Sequence, residues 1–260
     1  MFHKDDIFSD VYARKENLVT GIEARVKIVF TVIALVINLL SPIIYTPIAI
    51  AIFCLATLAA IGIPPKLLML RLTMPLAMAA VVLITQIFFY GTTPLFTIPF
   101  WGFHVVGYEE GLARGFLIMC RVISGVSLIL FLSMSTPTHK LLLAARWFRL
   151  SKVFIELTLL IYRYIFVLIE EAISIKDAQK VRLGYRNWQQ SMKSVGVLGG
   201  SLILRAYDRA ERVFEAMIAR GYTGTMTINY TEHFNKRDYM AAICLTVTLV
   251  IFYLAGQLRV

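Results

Sequence analysis

Charged residues are scarce in this 260-residue chain. Only 16% of its residues are charged and 58% are hydrophobic, whereas an ordinary soluble domain is roughly 25% charged. A soluble fold of this polarity could not cover its core, so the composition excludes a soluble globular protein and predicts an integral membrane protein. Acidic residues are scarcer than basic ones, at 16 against 26, so the net charge is +10. The cations lie between apolar runs rather than in a separable basic domain, which favours a cytoplasmic membrane surface over nucleic acid as their partner.

Motifs that carry chemistry are also missing. Three cysteines, Cys54, Cys120 and Cys244, lie in apolar runs without a CxxC pair, which excludes a disulfide framework and a zinc site. The chain contains no GxxxxGK[ST] phosphate loop, no HExxH and no Cys/His cluster. We therefore predict no catalytic residue, no metal ligand and no cofactor bound by this chain, and we expect it not to be an enzyme.

What the sequence does contain is long apolar runs. Residues 28–65 include no charge over 38 positions, which is enough for two crossings of about 17–20 residues each, with a hinge at Ser41-Pro42. The same reasoning predicts an all-α, polytopic integral membrane protein with about five transmembrane helices. The predicted spans are 23–40, 43–62, 72–90, 112–134 and 239–256, and residues 91–111 read as a loop or re-entrant hairpin.

Loop charges predict the orientation. The arm before the first span and the loop at 66–71 are basic, whereas the turn at 41–42 is uncharged and loop 91–111 carries only Glu109 and Glu110. The positive-inside rule then puts the N-terminus in the cytoplasm of a multi-pass protein of the cell (inner or cytoplasmic) membrane. We expect a transmembrane region at 1–134, cytoplasmic or interfacial helices at 135–238, and a C-terminal transmembrane helix at 239–260.

The segment at 135–238 differs from the rest, with 16 Lys or Arg against nine Asp or Glu. Its pattern predicts one long helix over 153–182, which we place against the cytoplasmic leaflet; a sixth crossing at 153–169 is the alternative. The charges Glu156, Arg163 and Glu170 are costly at membrane depth, so we interpret them as candidates for structural ion pairs, the alternative being a transport pathway. The glycines at 196–200 predict a break before an amphipathic helix over 202–220.

Two helix ends in this segment are alike. One reads Val181-Arg182-Leu183-Gly184-Tyr185, and the other reads Ala219-Arg220-Gly221-Tyr222. Ordinary capping explains a single occurrence, because Gly ends a helix and Arg complements its dipole. The repetition indicates a second possibility, in which each protruding Arg pairs with acidic residues in a groove of a partner protein.

These motifs resemble a known family. Ser133-Met-Ser-Thr-Pro137, Ala144-Ala-Arg-Trp147, residues 159–167, Arg209-Ala-Glu-Arg-Val213 and Ala219-Arg-Gly-Tyr222 are similar to the CbiQ type of transmembrane (T) component in energy-coupling-factor (ECF) ABC importers. The resemblance covers most of the chain. It implies that ATPase coupling involves the helix-end residues Arg182, Gly184, Ala219, Arg220 and Gly221, of which only the second motif matches the family's Ala-Arg-Gly pattern.

The resemblance also implies partners. Two ATP-binding cassette subunits would hold ATP and Mg²⁺, and a membrane-embedded substrate-capture (S) subunit would hold Co²⁺ or Ni²⁺; a small auxiliary membrane subunit is allowed. Cobalt uptake is the first expectation, with a nickel or vitamin importer as the alternative. A membrane enzyme using Glu156, Arg163 and Glu170-Glu171, or a stand-alone secondary carrier, ranks lower, because neither a catalytic constellation nor paired repeats with broken helices are visible.

Overall fold

The computed structural model describes residues 20–100, 103–224 and 236–257. These residues form eight α-helices, a short 3₁₀ turn at Arg146–Phe148 and one β-hairpin. The helices are α1 (Ala24–Leu40), α2 (Tyr45–Ala60), α3 (Pro65–Phe89), α4 (Glu109–Ser135), α5 (Thr138–Ala145), α6 (Lys152–Val181), α7 (Trp188–Ala219) and α8 (Lys236–Gln257).

The predicted helical architecture is confirmed, with one addition. Strands β1 (Pro94–Phe100) and β2 (Phe103–Tyr108) pair antiparallel, from Pro94 opposite Tyr108 to Phe100 opposite Phe103. They occupy the segment predicted as a loop or re-entrant hairpin, so the fold is mainly rather than entirely α. Both strands are rich in β-branched and aromatic residues, which are favoured in strands.

Each predicted span coincides with a helix. Helix α1 ends at Leu40, directly before Ser41-Pro42, as expected. Helix α3 begins at Pro65, seven residues earlier than predicted, because proline is favoured in the first turn; Pro75 lies inside it. Within the described residues, α3 and α4 are long and apolar enough to cross a membrane, and residues 45–60 and 238–251 form shorter apolar helices.

The described residues divide into two compact units, one within 1–141 and 232–260 and the other within 142–231. Helix α4 lies at the centre of the first unit, where it packs against α1, α2 and α3. Phe131 of α4 meets Phe30 of α1 edge-on, with ring centroids 6.1 Å apart. One buried cluster joins α1, α2, α4 and α8 and consists of Phe30, Ala34, Ile50, Cys54, Leu128, Phe131 and Leu249.

Two glycines bring α3 and α4 into close contact. Gly111 and Gly115 form a GxxxG pattern in the first turns of α4. A Cβ atom at Gly111 would overlap the carbonyl oxygens of Gln86 and Tyr90, and one at Gly115 would lie 3.2 Å from Leu83 Cα. Small residues at this spacing let two helix backbones approach, so van der Waals contact replaces side-chain interdigitation.

Helices α1 and α4 are joined by cations at two levels. Lys27 Nζ donates to Ser135 O at 2.8 Å, and Arg121 Nη2 donates to Ser41 O at 2.6 Å. Each acceptor lies at the C-terminal end of the opposite helix, where a cation interacts favourably with the helix dipole. Lys27 to Ser41 and Arg121 to Ser135 are each 14 residues apart, or about 21 Å along a helix. The two contacts therefore fix the antiparallel register of α1 against α4.

A third helix end lies beside the Lys27 contact. The backbone N–H of Glu23, just before α1, donates to Asp238 Oδ1 in the first turn of α8 at 3.0 Å. Asp238 is buried, and so is Glu23, which pairs with Arg25 at 2.9 Å. The start of α1, the end of α4 and the start of α8 are therefore on the same side of this unit.

The second unit contains α6 and α7. Helix α6 confirms the single long helix predicted over 153–182, and Ser151 caps it by accepting from Phe154 N at 3.3 Å. The break predicted at residues 196–200 is wrong, because α7 runs without interruption from Trp188 to Ala219. Gly costs about 1 kcal/mol relative to Ala in a helix interior. Long flanking stretches of good helix formers outweigh that local cost, because helix propagation is cooperative.

Candidate functional site

The C-terminal ends of α6 and α7 have the same backbone geometry. The C-cap residues are Arg182, with φ −85° and ψ 14°, and Arg220, with φ −91° and ψ 9°. Each is followed by a residue in the left-handed region, Leu183 at φ 57° and Gly221 at φ 81°. The left-handed stop predicted at Gly221 is confirmed, whereas a leucine in that conformation was not expected.

Hydrogen bonds show that both ends are Schellman motifs. In the first, Leu183 N donates to Lys180 O at 3.0 Å and Gly184 N to Gln179 O at 2.9 Å. In the second, Gly221 N donates to Ile218 O at 2.8 Å and Tyr222 N to Met217 O at 3.0 Å. Both helix ends therefore have the same pair of hydrogen bonds, the 5→2 and 6→1 bonds that define this motif.

This geometry determines the register of the first motif. Arg182 corresponds to Arg220, and Val181 corresponds to Ala219, the last residue of α7. Gly184, however, occupies the position of Tyr222 rather than that of Gly221. The register of the first motif was left open by the sequence, and the two glycines are not equivalent because Leu183 takes the left-handed position.

Gly184 and Gly221 are needed for different reasons. A Cβ atom at Gly184 would lie 2.7 Å from Ser194 Oγ and 3.0 Å from Gln179 O, so the first glycine provides space. No atom lies within 4 Å of a Cβ at Gly221, but its φ is +81°, so the second provides a conformation that other residues adopt only with strain.

Both helix ends present an arginine among apolar groups. Arg182 and Arg220 are exposed, and neither forms an ion pair with any residue that the structure describes. Val181 is 85% exposed and Leu183 66%, and Ile218, two residues before Arg220, is 54% exposed. An exposed guanidinium beside apolar side chains is suited to a groove with acidic groups and an apolar wall. The arrangement can dock a protein, but it supplies no nucleophile, acid or base.

The first helix end is held against α7 by side chains. Tyr185 Oη donates to Gln179 Oε1 at 2.8 Å, and Gln179 Nε2 donates to Ser194 O at 2.9 Å. Ser194 Oγ in turn donates to Gly184 O at 2.8 Å. Gln179 and Ser194 were not predicted from the sequence, because single polar residues on amphipathic helices carry no distinctive pattern.

An ion pair joins the same two helices elsewhere. Arg209 Nη2 lies 2.7 Å from Glu171 Oε1, and both side chains are partly exposed. The ion-pair candidates predicted from the sequence were instead Glu156, Arg163 and Glu170. All three lie on α6, where Glu156 is buried and the other two are exposed; their role as structural ion pairs stays a prediction. Charge and spacing along one helix could not show which carboxylate faces the neighbouring helix.

Within the residues that the structure describes, no group of three or more His, Cys, Asp or Glu side chains is placed to hold a metal ion. His3 and His233 lie outside the described residues, and His139 lies in the first turn of α5.

The mostly helical fold and two apolar helices of membrane-crossing length are consistent with a helical membrane protein. The chain belongs to the CbiQ family, whose profile is described as "Cobalt transport protein" and matches residues 15–230. The resemblance drawn from the motifs is thereby confirmed. The family and the names of its relatives indicate a component of cobalt transport.

Three relatives illustrate the similarity. A putative fused cobalt transport protein CbiMQ of Methanocorpusculum labreanum is 32% identical over 244 residues, which cover 91% of this chain and 40% of that longer protein. An uncharacterized protein of Methanocaldococcus jannaschii is 32% identical over 83% of this chain and 81% of its own length. The cobalt transport protein CbiQ of Rhodobacter capsulatus is 32% identical over 47% of this chain and 50% of its own.

Proposed function

We propose that this chain is the transmembrane coupling subunit of an ECF-type ABC importer for cobalt ions. The observation that carries the proposal is the repeated helix end, in which one backbone geometry presents Arg182 and Arg220 to solvent. Two equivalent tips suit two equivalent grooves, as two ATP-binding cassette subunits would provide. In this proposal ATP and Mg²⁺ bind to those subunits, and closure of the ATPases moves the helices.

The substrate ion would be held by a partner. A membrane-embedded S subunit would bind Co²⁺, with a small auxiliary membrane subunit where the system has one. The fused relative, whose name joins CbiM to CbiQ, supports an association between this chain and another membrane protein of cobalt transport. Nickel and vitamin importers remain the alternatives, and competition for uptake by Ni²⁺ or by a vitamin separates them from cobalt.

A five-crossing topology with a cytoplasmic N-terminus belongs to the same proposal. It is supported by the contacts Lys27–Ser135 and Glu23–Asp238, which bring the start of α1, the end of α4 and the start of α8 to one side. Four crossings return a chain to the side on which it started, and the fifth must then begin there. A membrane-impermeant maleimide should label Thr93→Cys from outside intact cells and Leu183→Cys only after lysis; the reverse pattern would contradict the orientation.

Charge reversal tests the coupling role. Arg182→Glu and Arg220→Glu should each weaken copurification with the ATPases and lower cobalt uptake at least tenfold. The reason is that a desolvated cation–carboxylate pair would become a like-charge contact, which costs several kcal/mol. Arg186→Glu is the matched control, an exposed arginine four residues beyond the first tip. Normal uptake and copurification in both reversals would contradict the proposal.

Metal binding tests the proposal that a partner subunit, and not this chain, holds the substrate ion. The chain without partners should show no stoichiometric micromolar site for Co²⁺ or Ni²⁺ in calorimetry. A saturable site abolished by His104→Ala would instead move substrate binding to the segment between α3 and α4.

A further inference from the structure

In the proposed assembly, α7 connects the turn that follows the Arg182 tip to the Arg220 tip. Its first residue, Trp188, follows the Arg182 tip by six positions, and its last residue precedes Arg220. Helix α7 is 32 residues long, so it separates the two tips by about 48 Å. Arg182 is the C-cap of α6, whereas Arg220 is the C-cap of α7. Because α7 is continuous, the position of the Arg220 tip relative to α6 depends on the angle between the two helices.

The attachment has two separate points. At the turn, Gln179, Tyr185 and Ser194 tie the end of α6 to the beginning of α7. Further along, Arg209 Nη2 contacts Glu171 Oε1 at 2.7 Å. Residues 171 and 179 are about 12 Å apart along α6, and residues 194 and 209 about 22 Å apart along α7. Two lengths of helix and the ion pair thus form the sides of a triangle, which fixes the angle between α6 and α7.

The pair is suited to this task by its surroundings. The Arg209 and Glu171 side chains are 35% and 22% exposed, so water screens them less than a free surface pair. Glu171 Oε2 is buried and accepts no hydrogen bond from any described residue. The carboxylate is therefore held by its single contact with Arg209 Nη2, and removing the guanidinium leaves a partly desolvated charge alone.

The geometry points to Glu171 and Arg209 as a positioning pair that keeps α7 at a fixed angle to α6, so that movement of the Arg220 tip reaches α6. This inference rests on the proposed coupling function. Without the pair, α7 swings about the turn at residues 182–187. The ATPases then bind and hydrolyse ATP, but the movement of the Arg220 tip is absorbed by the hairpin instead of being transmitted to α6. Loss of the pair therefore uncouples ATP hydrolysis from transport.

The experiment combines a distance measurement with a coupling ratio. Spin labels replace the exposed residues Ile161 of α6 and Ile218 of α7 in a full chain whose cysteines are changed to serine, reconstituted in lipid nanodiscs. In Arg209→Met the distance distribution between the labels should be at least twice as broad as in the parent. In the assembled importer, ions moved per ATP hydrolysed should fall at least fivefold while ATPase copurification is unchanged.

Two further variants separate positioning from general damage. The charge swap Glu171→Arg with Arg209→Glu should restore the narrow distribution and the coupling ratio. Asp177→Asn is the matched control, because it breaks the surface pair Lys180–Asp177 on the same helix and should change neither readout. An unchanged distribution or an unchanged ratio in Arg209→Met, or a swap that restores neither, would overturn the inference. The label measurement needs no partner, so absence of ATPase binding by the parent would refute the coupling function alone.

Discussion

The two helix tips share a backbone but differ in what supports them. The tip of α6 is held by Gln179 and Ser194, and its left-handed residue is Leu183. The tip of α7 has a glycine at that position and open space around it. The comparison teaches that a C-terminal stop can be made by conformational freedom alone, or by a strained residue that neighbouring contacts keep in place. The first tip is therefore sensitive to volume, and the second to backbone conformation.

The largest expected effect comes from adding volume at the first tip. Gly184→Val should destabilise the α6–α7 turn by about 1–3 kcal/mol, since the new side chain overlaps Ser194 Oγ and Gln179 O. We expect a lower apparent Tm of the purified chain by circular dichroism and the loss of most cobalt uptake. The double variant Gly184→Val with Ser194→Ala should regain part of the loss; no recovery would show that space against Ser194 is not the reason for the glycine.

At the second tip, conformation sets the size of the effect. Gly221→Ala should cost about 1 kcal/mol because an L side chain is strained at φ +81°. Gly221→Val should be worse, and it would also thicken the tip. Gly199→Ala is the control, because Gly199 lies in the interior of α7 with room for a Cβ atom and should tolerate the change. ATP-driven uptake in the reconstituted complex is the measurement, and equal tolerance at 221 and 199 would reduce the second tip to ordinary capping.

The smallest effect should be a gain. Leu183→Gly gives the first tip the left-handed glycine of the second and removes strain at φ 57°. The gain should be about 0.5–1 kcal/mol, partly offset by the greater freedom of glycine in the unfolded chain. Thermal unfolding of the full chain checks the sign, with Leu183→Ala as the control that keeps the strain. A lower Tm for Leu183→Gly than for Leu183→Ala would mean that the freedom of glycine in the unfolded chain outweighs the strain removed at φ 57°.

Sequence patterns predicted the features that single residues determine. Pro42 ends α1, Gly221 ends α7 and charge-free runs locate the apolar helices, because proline, glycine and uncharged length each act locally. The break predicted at the glycines of 196–200 is absent because the stability of a helix depends on the residues on both sides of such a segment as well as on the segment itself.

Features that depend on how two helices pack together could not be predicted from the sequence. The side-chain contacts Lys27–Ser135, Gln179–Ser194 and Glu171–Arg209 each join helices whose relative rotation the sequence does not specify. Glu170 and Glu171 are adjacent and chemically equivalent, so only packing distinguishes the one that meets Arg209. Leu183 was overlooked for a related reason, since intrinsic preference disfavours leucine in the left-handed region and the turn network overrides it.

The contact between Lys27 and Ser135 has a consequence for the synthesis and membrane insertion of the protein. Its two residues are 108 positions apart, and ribosomes add roughly 5–20 residues per second. The acceptor of Lys27, the backbone carbonyl of Ser135, is therefore synthesised about 5–20 s after the lysine. Arg121, in contrast, finds the Ser41 carbonyl already synthesised when it leaves the ribosome. Biogenesis of the bundle is thus asymmetric in time: Arg121 is synthesised 14 residues before Ser135, so its contact with Ser41 can form first and the Lys27 contact second.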